Sequence, residues 1–110
     1  QMTMSDAMAL GEKVYQGYCC ACHQPTGTGL PGVFPALKGS KMAIESAQKA
    51  AHIDIVLNGK PGTSMQAFAK QLSLQEIAAV ITYERNAWDN NTGDLIQAAD
   101  IQAAKNGQKE

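Results

Sequence analysis

The chain has 110 residues, enough for one domain. Its apolar fraction of 45% is ordinary, but aromatics reach only 5%, so its side chains alone build a modest core. A net charge of −1 with no basic patch argues against a nucleic-acid partner, and no apolar run approaches the ~18 residues of a membrane span. No signal-peptide pattern is visible either.

Taken in chain order, Ser5 is positioned to cap a helix over about 6–19, with Met8, Gly11, Val14, Tyr15 and Tyr18 on its inward face. At its end stands "GYCCACHQ", residues 17–24, which holds all three cysteines and one of the two histidines. Within it Cys19, Cys22 and His23 form C-x-x-C-H, the attachment sequence of c-type haem. The thiols add to the haem vinyl groups and the histidine ligates the iron. Residues i, i+3 and i+4 of a helical turn share a face, whereas Cys20 falls about 100° from Cys19 and is the surplus thiol. A redox pair or half of a zinc site also uses C-x-x-C. The first follows a strand in a βαβ unit, which this sequence lacks, and the second needs further ligands, of which only His52 stands outside the cluster.

Residues 24–39 are rich in glycine and proline and read as a loop, packed through Leu30, Val33, Phe34 and Leu37. A helix is expected over Ser46 to Asn58, closed by Gly59. A second irregular stretch carries Met65. Ser73 and Glu76 then form a capping box that opens a helix to about Trp88, with Leu74, Ile77, Val80, Ile81 and Glu84 along one side. No strand run is evident. The core is expected over about 5–88. The tail, 89–110, is polar, with at most a short helix near 98–105. The predicted class is therefore all-α, helices and loops around one covalently attached haem c.

The iron needs a second axial ligand, and the candidates are His52 and five methionines. Met2, Met4 and Met8 precede the attachment sequence, and Met42 lies near a helix start. Met65 lies in a glycine-rich stretch free to bring a thioether to the face opposite His23. His52 reads as a helix-surface or propionate-side histidine.

Residues 9–88 resemble a class I cytochrome c domain. The strings "PGVFPALKGS", "HIDIVLNGKPGTSMQAF" and "ITYERNAWDNNTGD" resemble, more narrowly, the C-terminal haem domain of subunit II in haem-c-containing bacterial cytochrome c oxidases. The resemblance implies Met65 as the iron's second ligand. It also implies a loop proline carbonyl that accepts from the ligating histidine, at Pro35, with Pro31 as the alternative, and a close crossing of the first and last helices at Gly11 and Tyr83. Cytochromes of this class often carry proline after the methionine; here it is Gln66. Arg85, Trp88 and Lys60 are candidates for the haem propionates or for plain surface and rim packing.

What the resemblance implies is a non-enzymatic module for one-electron transfer. It would accept electrons from a donor cytochrome c or an upstream respiratory complex and pass them to the dinuclear copper centre of an oxidase, whose copper-bearing domain and other subunits are the partners. This chain would be a domain excised from a longer subunit, on the periplasmic face of the bacterial cytoplasmic membrane and anchored only through upstream segments. The alternatives are a free-standing periplasmic shuttle and a sensor or peroxidase-like domain with a displaceable methionine. In the matured protein, haem should stay with the polypeptide through acid–acetone extraction and denaturing electrophoresis. Cys20→Ser should keep the haem stain and Cys19→Ser should weaken it; the reverse outcome would reassign the surplus thiol.

Overall fold

The computed structural model describes residues 1–30, 32, 34–60, 62–63 and 65–107, without the side chains of Ala21 and Cys22. Among them there are helices and loops and one isolated antiparallel bridge, Leu30 with Phe34, but no strand. Helix α1 spans Met4–Val14. It starts two residues earlier than the Ser5 reading because Thr3 and Asp6 form the capping box: Thr3 Oγ1 accepts from Asp6 N at 3.1 Å, and the Asp6 carboxylate accepts from Thr3 N.

The chain does not stop at Val14. A π-helical turn, Tyr15–Cys19, carries it directly into α2, Cys20–His23. The wider turn inserts residues into the helical period, so the expected inward face fails beyond Tyr15. Tyr15 is buried, but Tyr18 turns outward with 48% of its surface exposed, edge-on to Phe68. Ala7, rather than Met8, fills the inner face one turn before Gly11.

Helix α3, Lys41–Ile44, is capped by Ser40, whose Oγ accepts from Ala43 N at 3.2 Å. The helix expected from Ser46 begins as a 3-10 turn, Ser46–Gln48, and becomes α4 over Lys49–Asn58. Helix α5, Leu74–Asn86, opens on the predicted Ser73–Glu76 capping box. It is buried on more than the expected side: Ala78, Ala79, Thr82 and Arg85 are covered as well as Ile77, Val80, Ile81 and Glu84. The reason is that α1 crosses one flank while α4 and α6, Ala98–Gly107, lie on others.

The tail is part of the body. Ile96 and Ile101 are buried in the core. Thr82 Oγ1 accepts from Ile96 N at 2.9 Å, and Asn86 Nδ2 donates to Asp94 O at 2.9 Å. The amide of Gln97 clasps Met2, accepting from its N at 3.0 Å and donating to its O at 2.8 Å.

The α1–α5 crossing, the most extensive helix contact, depends on Gly11. A Cβ there would lie 2.6 Å from Tyr83 Cβ and closer still to Ala79 O, so the two backbones could not approach. Gly11→Ala should lower unfolding free energy by about 1–3 kcal/mol through overpacking, outweighing the ~1 kcal/mol that helical alanine gains over glycine. Urea titration checks the sign; a stabilised variant would mean the crossing can spread without cost.

Candidate functional site

A cavity of about 360 Å³ lies between the C-x-x-C-H turn and the Met65 stretch. Its lining includes Cys19, His23, Phe34, Pro35, Leu37, Ile55, Val56, Met65 and Phe68, with His52 and Glu84 also on the wall. The structure thus brings Cys19, His23, Pro35 and Met65 to one place. Cys22 falls in α2 but its side chain lies outside the described residues, as does Pro31 entirely. Cys20 is half-buried and packs against the core beside Tyr15 and Tyr83; the cavity takes Cys19 in its lining.

His23 is set by the loop that follows it. Its Nδ1 donates to Pro35 O at 2.8 Å. That loop folds back on itself: Gly29 N donates to His23 O at 2.9 Å, and Leu37 N to Gly27 O at 2.7 Å. Phe34 and Leu37 face the cavity as packed residues, but Leu30, expected to pack, is 46% exposed; Val33 lies outside the described residues. A ring held at Nδ1 has its tautomer and orientation fixed and leaves Nε2 for a metal.

Met65 is held from both sides. Gly59 ends α4 at φ +73°, and a Cβ there would lie 2.7 Å from Met65 O. Thr63 Oγ1 accepts from Met65 N at 3.2 Å. Beyond it, Phe68 N and Ala69 N donate to the last carbonyls of α4, Val56 O at 3.0 Å and Leu57 O at 3.1 Å. Gln66, where a proline is common, accepts from Gln71 Nε2 at 3.2 Å.

Three other residues fall differently from a surface reading, and a fourth, Lys60, agrees with it. His52 is not on the helix surface: it is buried, with Nε2 2.7 Å from Glu84 Oε1 and Nδ1 3.2 Å from Arg85 Nη1. Arg85 has 0% exposure and is no surface charge. It donates to Asp94 at 2.8 Å, Met42 O at 3.0 Å and Glu45 O at 2.7 Å. Trp88 lies over Gly27, donates to Pro25 O at 3.0 Å, and packs on Tyr15 and Tyr83 at ring separations of 5.0 and 5.5 Å. Lys60 is exposed at the cavity mouth. The signal for the buried network was Glu84 itself, an acid on an apolar helix stripe; nothing local marked its partners.

Burial, with the Glu84 charge behind it, pushes the Tyr15 hydroxyl far above its ordinary range, and it stays a donor, to Gln24 O at 2.6 Å. For Asp94, partial burial acts upward, but hydrogen bonds from Arg85 and Lys49 and the Lys49 charge together outweigh it and hold the carboxyl below its usual value.

The comparisons with known proteins agree with one another at the level of family. A family model described as "Cytochrome C oxidase, cbb3-type, subunit III" matches residues 6–83. The chain is 31% identical over 100 residues to the cytochrome c subunit of a quinone alcohol dehydrogenase from Gluconobacter oxydans, covering 84% of this chain and 21% of that subunit. It is 35% identical over 94 residues to cytochrome c-552 of Thermus thermophilus, covering 74% of this chain and 62% of that protein. The chain therefore spans about a fifth of the dehydrogenase subunit it matches. Among solved structures, the dihydro-heme d1 dehydrogenase NirN in complex with DHE superposes with a TM-score of 0.58 at 32% identity, covering 71% of this chain and 16% of that one.

Because Asp94 titrates lower folded than unfolded, it contributes stability above its unfolded pKa of ~3.9. That contribution should disappear as pH falls through the lower folded value. Acid titration of the wild type and Asp94→Asn, followed by circular dichroism, should show the variant less stable near neutrality and the gap closing in acid; a gap independent of pH would remove Asp94 from the ledger of acid-sensitive groups.

Proposed function

The chain belongs to the cytochrome c family, with the small all-α fold of that family, and from that membership we propose that it holds one covalent haem c and carries single electrons. The residues present fit the group. Cys19 and Cys22 would bind its vinyl carbons, His23 Nε2 and the Met65 thioether would ligate the iron, and apolar side chains would wall the ring. The observation that carries the reading is the pairing of His23, locked on Pro35 O at 2.8 Å, with Met65 on the same apolar cavity.

The alternative ligand, His52, has both ring nitrogens engaged, one with Glu84 and one with Arg85, which leaves neither for iron. The bound haem would supply the one-electron change, with methionine favouring the ferrous state relative to a second histidine. The chain's own residues do the rest. The His23–Pro35 bond fixes the imidazole and raises its basicity. The two-sided anchoring of the Met65 stretch keeps the thioether at the cavity, and Phe34, Leu37, Ile55, Val56 and Phe68 keep water from it. With His23 and Met65 both serving as ligands, the iron would offer no position to oxygen or peroxide, and the function this reading assigns is electron transfer rather than catalysis.

The domain serves a larger redox assembly in this reading. The sequence resemblance to oxidase subunit II favours the dinuclear copper centre of an oxidase as acceptor. The 31% identity to a dehydrogenase cytochrome subunit supports a second reading, in which electrons arrive from a dehydrogenase active site. Haem attached covalently would put either assembly on the periplasmic face of the cytoplasmic membrane. The ferric protein should show the weak near-infrared absorption of methionine–iron ligation. Met65→Ala should abolish that band, lower the reduction potential and open the ferrous protein to carbon monoxide. A parent protein with a bis-histidine spectrum, or one that binds carbon monoxide at neutral pH, would overturn the ligand assignment.

A further inference from the structure

Two residues of the cavity wall are buried ionisable groups that ligation does not use: His52, 3% exposed, and Glu84, 4% exposed. Their protonation follows from donor and acceptor chemistry. Arginine has only donors, so Arg85 Nη1 must donate to His52 Nδ1, and Nδ1 carries no proton. The ring proton is therefore on Nε2, where it is donated over 2.7 Å to Glu84 Oε1. In this arrangement Glu84 Oε1 is the acceptor and the imidazole holds a single ring proton. A second ring proton would have to point at the Arg85 N–H, so His52 is closed to further protonation while that bond stands.

We propose that Glu84, held by His52, is a proton-binding site coupled to electron transfer: the electron that enters the cavity draws one proton from solvent onto the Glu84 carboxylate, and its departure releases that proton. The proposal rests on the haem reading above. The balance is one electron from the reducing donor and one proton from solvent, ferric iron going to ferrous and carboxylate to carboxylic acid. The driving force is Coulombic. An added electron makes a second negative charge costly in a low-dielectric cavity, and Glu84 is the wall group that can lose one.

The other groups around it are otherwise committed. Arg85 does not deprotonate and is paired with Asp94 at 2.8 Å, which also holds Lys49 at 3.3 Å. The Tyr15 hydroxyl, raised by burial and by the Glu84 charge, keeps its proton. Lys60 at the mouth and the propionates of a bound haem are the competing titratable groups.

The test is the midpoint potential of the haem-loaded protein, measured by spectroelectrochemistry from acid to alkaline pH. The potential should fall with rising pH through one window, with a slope approaching about 59 mV per pH unit, the one-electron equivalent of a tenfold change in proton activity. Glu84→Gln, whose amide oxygen still accepts from His52 Nε2, should flatten that window. A slope unchanged in Glu84→Gln would assign the proton to the propionates or Lys60 and overturn the proposal, as would a flat wild type. Should Glu84→Gln not hold haem, Glu84→Asp should move the window, and an unmoved window would overturn it equally. The reduced-minus-oxidised infrared spectrum of the wild type should gain a deuterium-sensitive protonated-carboxyl band, and its absence would be decisive against Glu84. The near-infrared methionine band is recorded at every pH: a flat potential with the band present sinks the proton site alone, whereas a missing band or lost haem sinks the ligation reading with it.

Discussion

A guanidinium with no exposure to solvent must find all its acceptors inside the protein, and Arg85 finds them in three separate segments. Its donors reach Met42 O in α3, Glu45 O before the 3-10 turn, His52 in α4 and Asp94 in the tail. Burying such a charge costs several kcal/mol unless its hydrogen bonds are complete. The segments are therefore not independent: shifting one of them strands a donor. Arg85 stands on α5, the same helix that meets α1 at Gly11. Through that helix, the attachment turn at the end of α1 and the opposite wall of the cavity share one frame of reference.

The helices supply the frame and much of the apolar wall, and the loops supply the polar contacts at the two poles. Pro35 O and the Met65 thioether both come from irregular stretches, each bound back to a helix end by backbone hydrogen bonds. This division is physically sensible. A helix interior has its carbonyls engaged, so a carbonyl that must accept from a histidine is more easily presented by a loop. The wall is polar where α4 and α5 place His52 and Glu84, and there the charge of Arg85 stands directly behind the imidazole.

The relatives bear on what such a domain is for. It matches a stretch of about a fifth of a dehydrogenase subunit and a larger share, 62%, of cytochrome c-552. Sequences like this one thus occur within proteins of different overall length. Fold alone does not choose between them, and the site chemistry is what the functional reading rests on.

Local chemistry in the sequence determined much of this. The C-x-x-C-H spacing pointed to the haem c that the family implies, and Ser73 with Glu76 fixed where α5 begins, because a capping box is made within four consecutive residues. Gly59 marked the end of α4 for the same local reason. The family resemblance added Pro35, Met65 and the Gly11 crossing. Tertiary structure decided the rest. The π-helical turn put Tyr18 outside, since a widened turn breaks the period from which its face was read. The polar tail became core at Ile96 and Ile101 because Thr82, Asn86 and Met2 offered it partners. His52, Glu84 and Arg85 looked unrelated or superficial along the chain. They form one buried network because their partners stand 32 and 33 residues away in sequence, a distance no local pattern spans and only packing brings together.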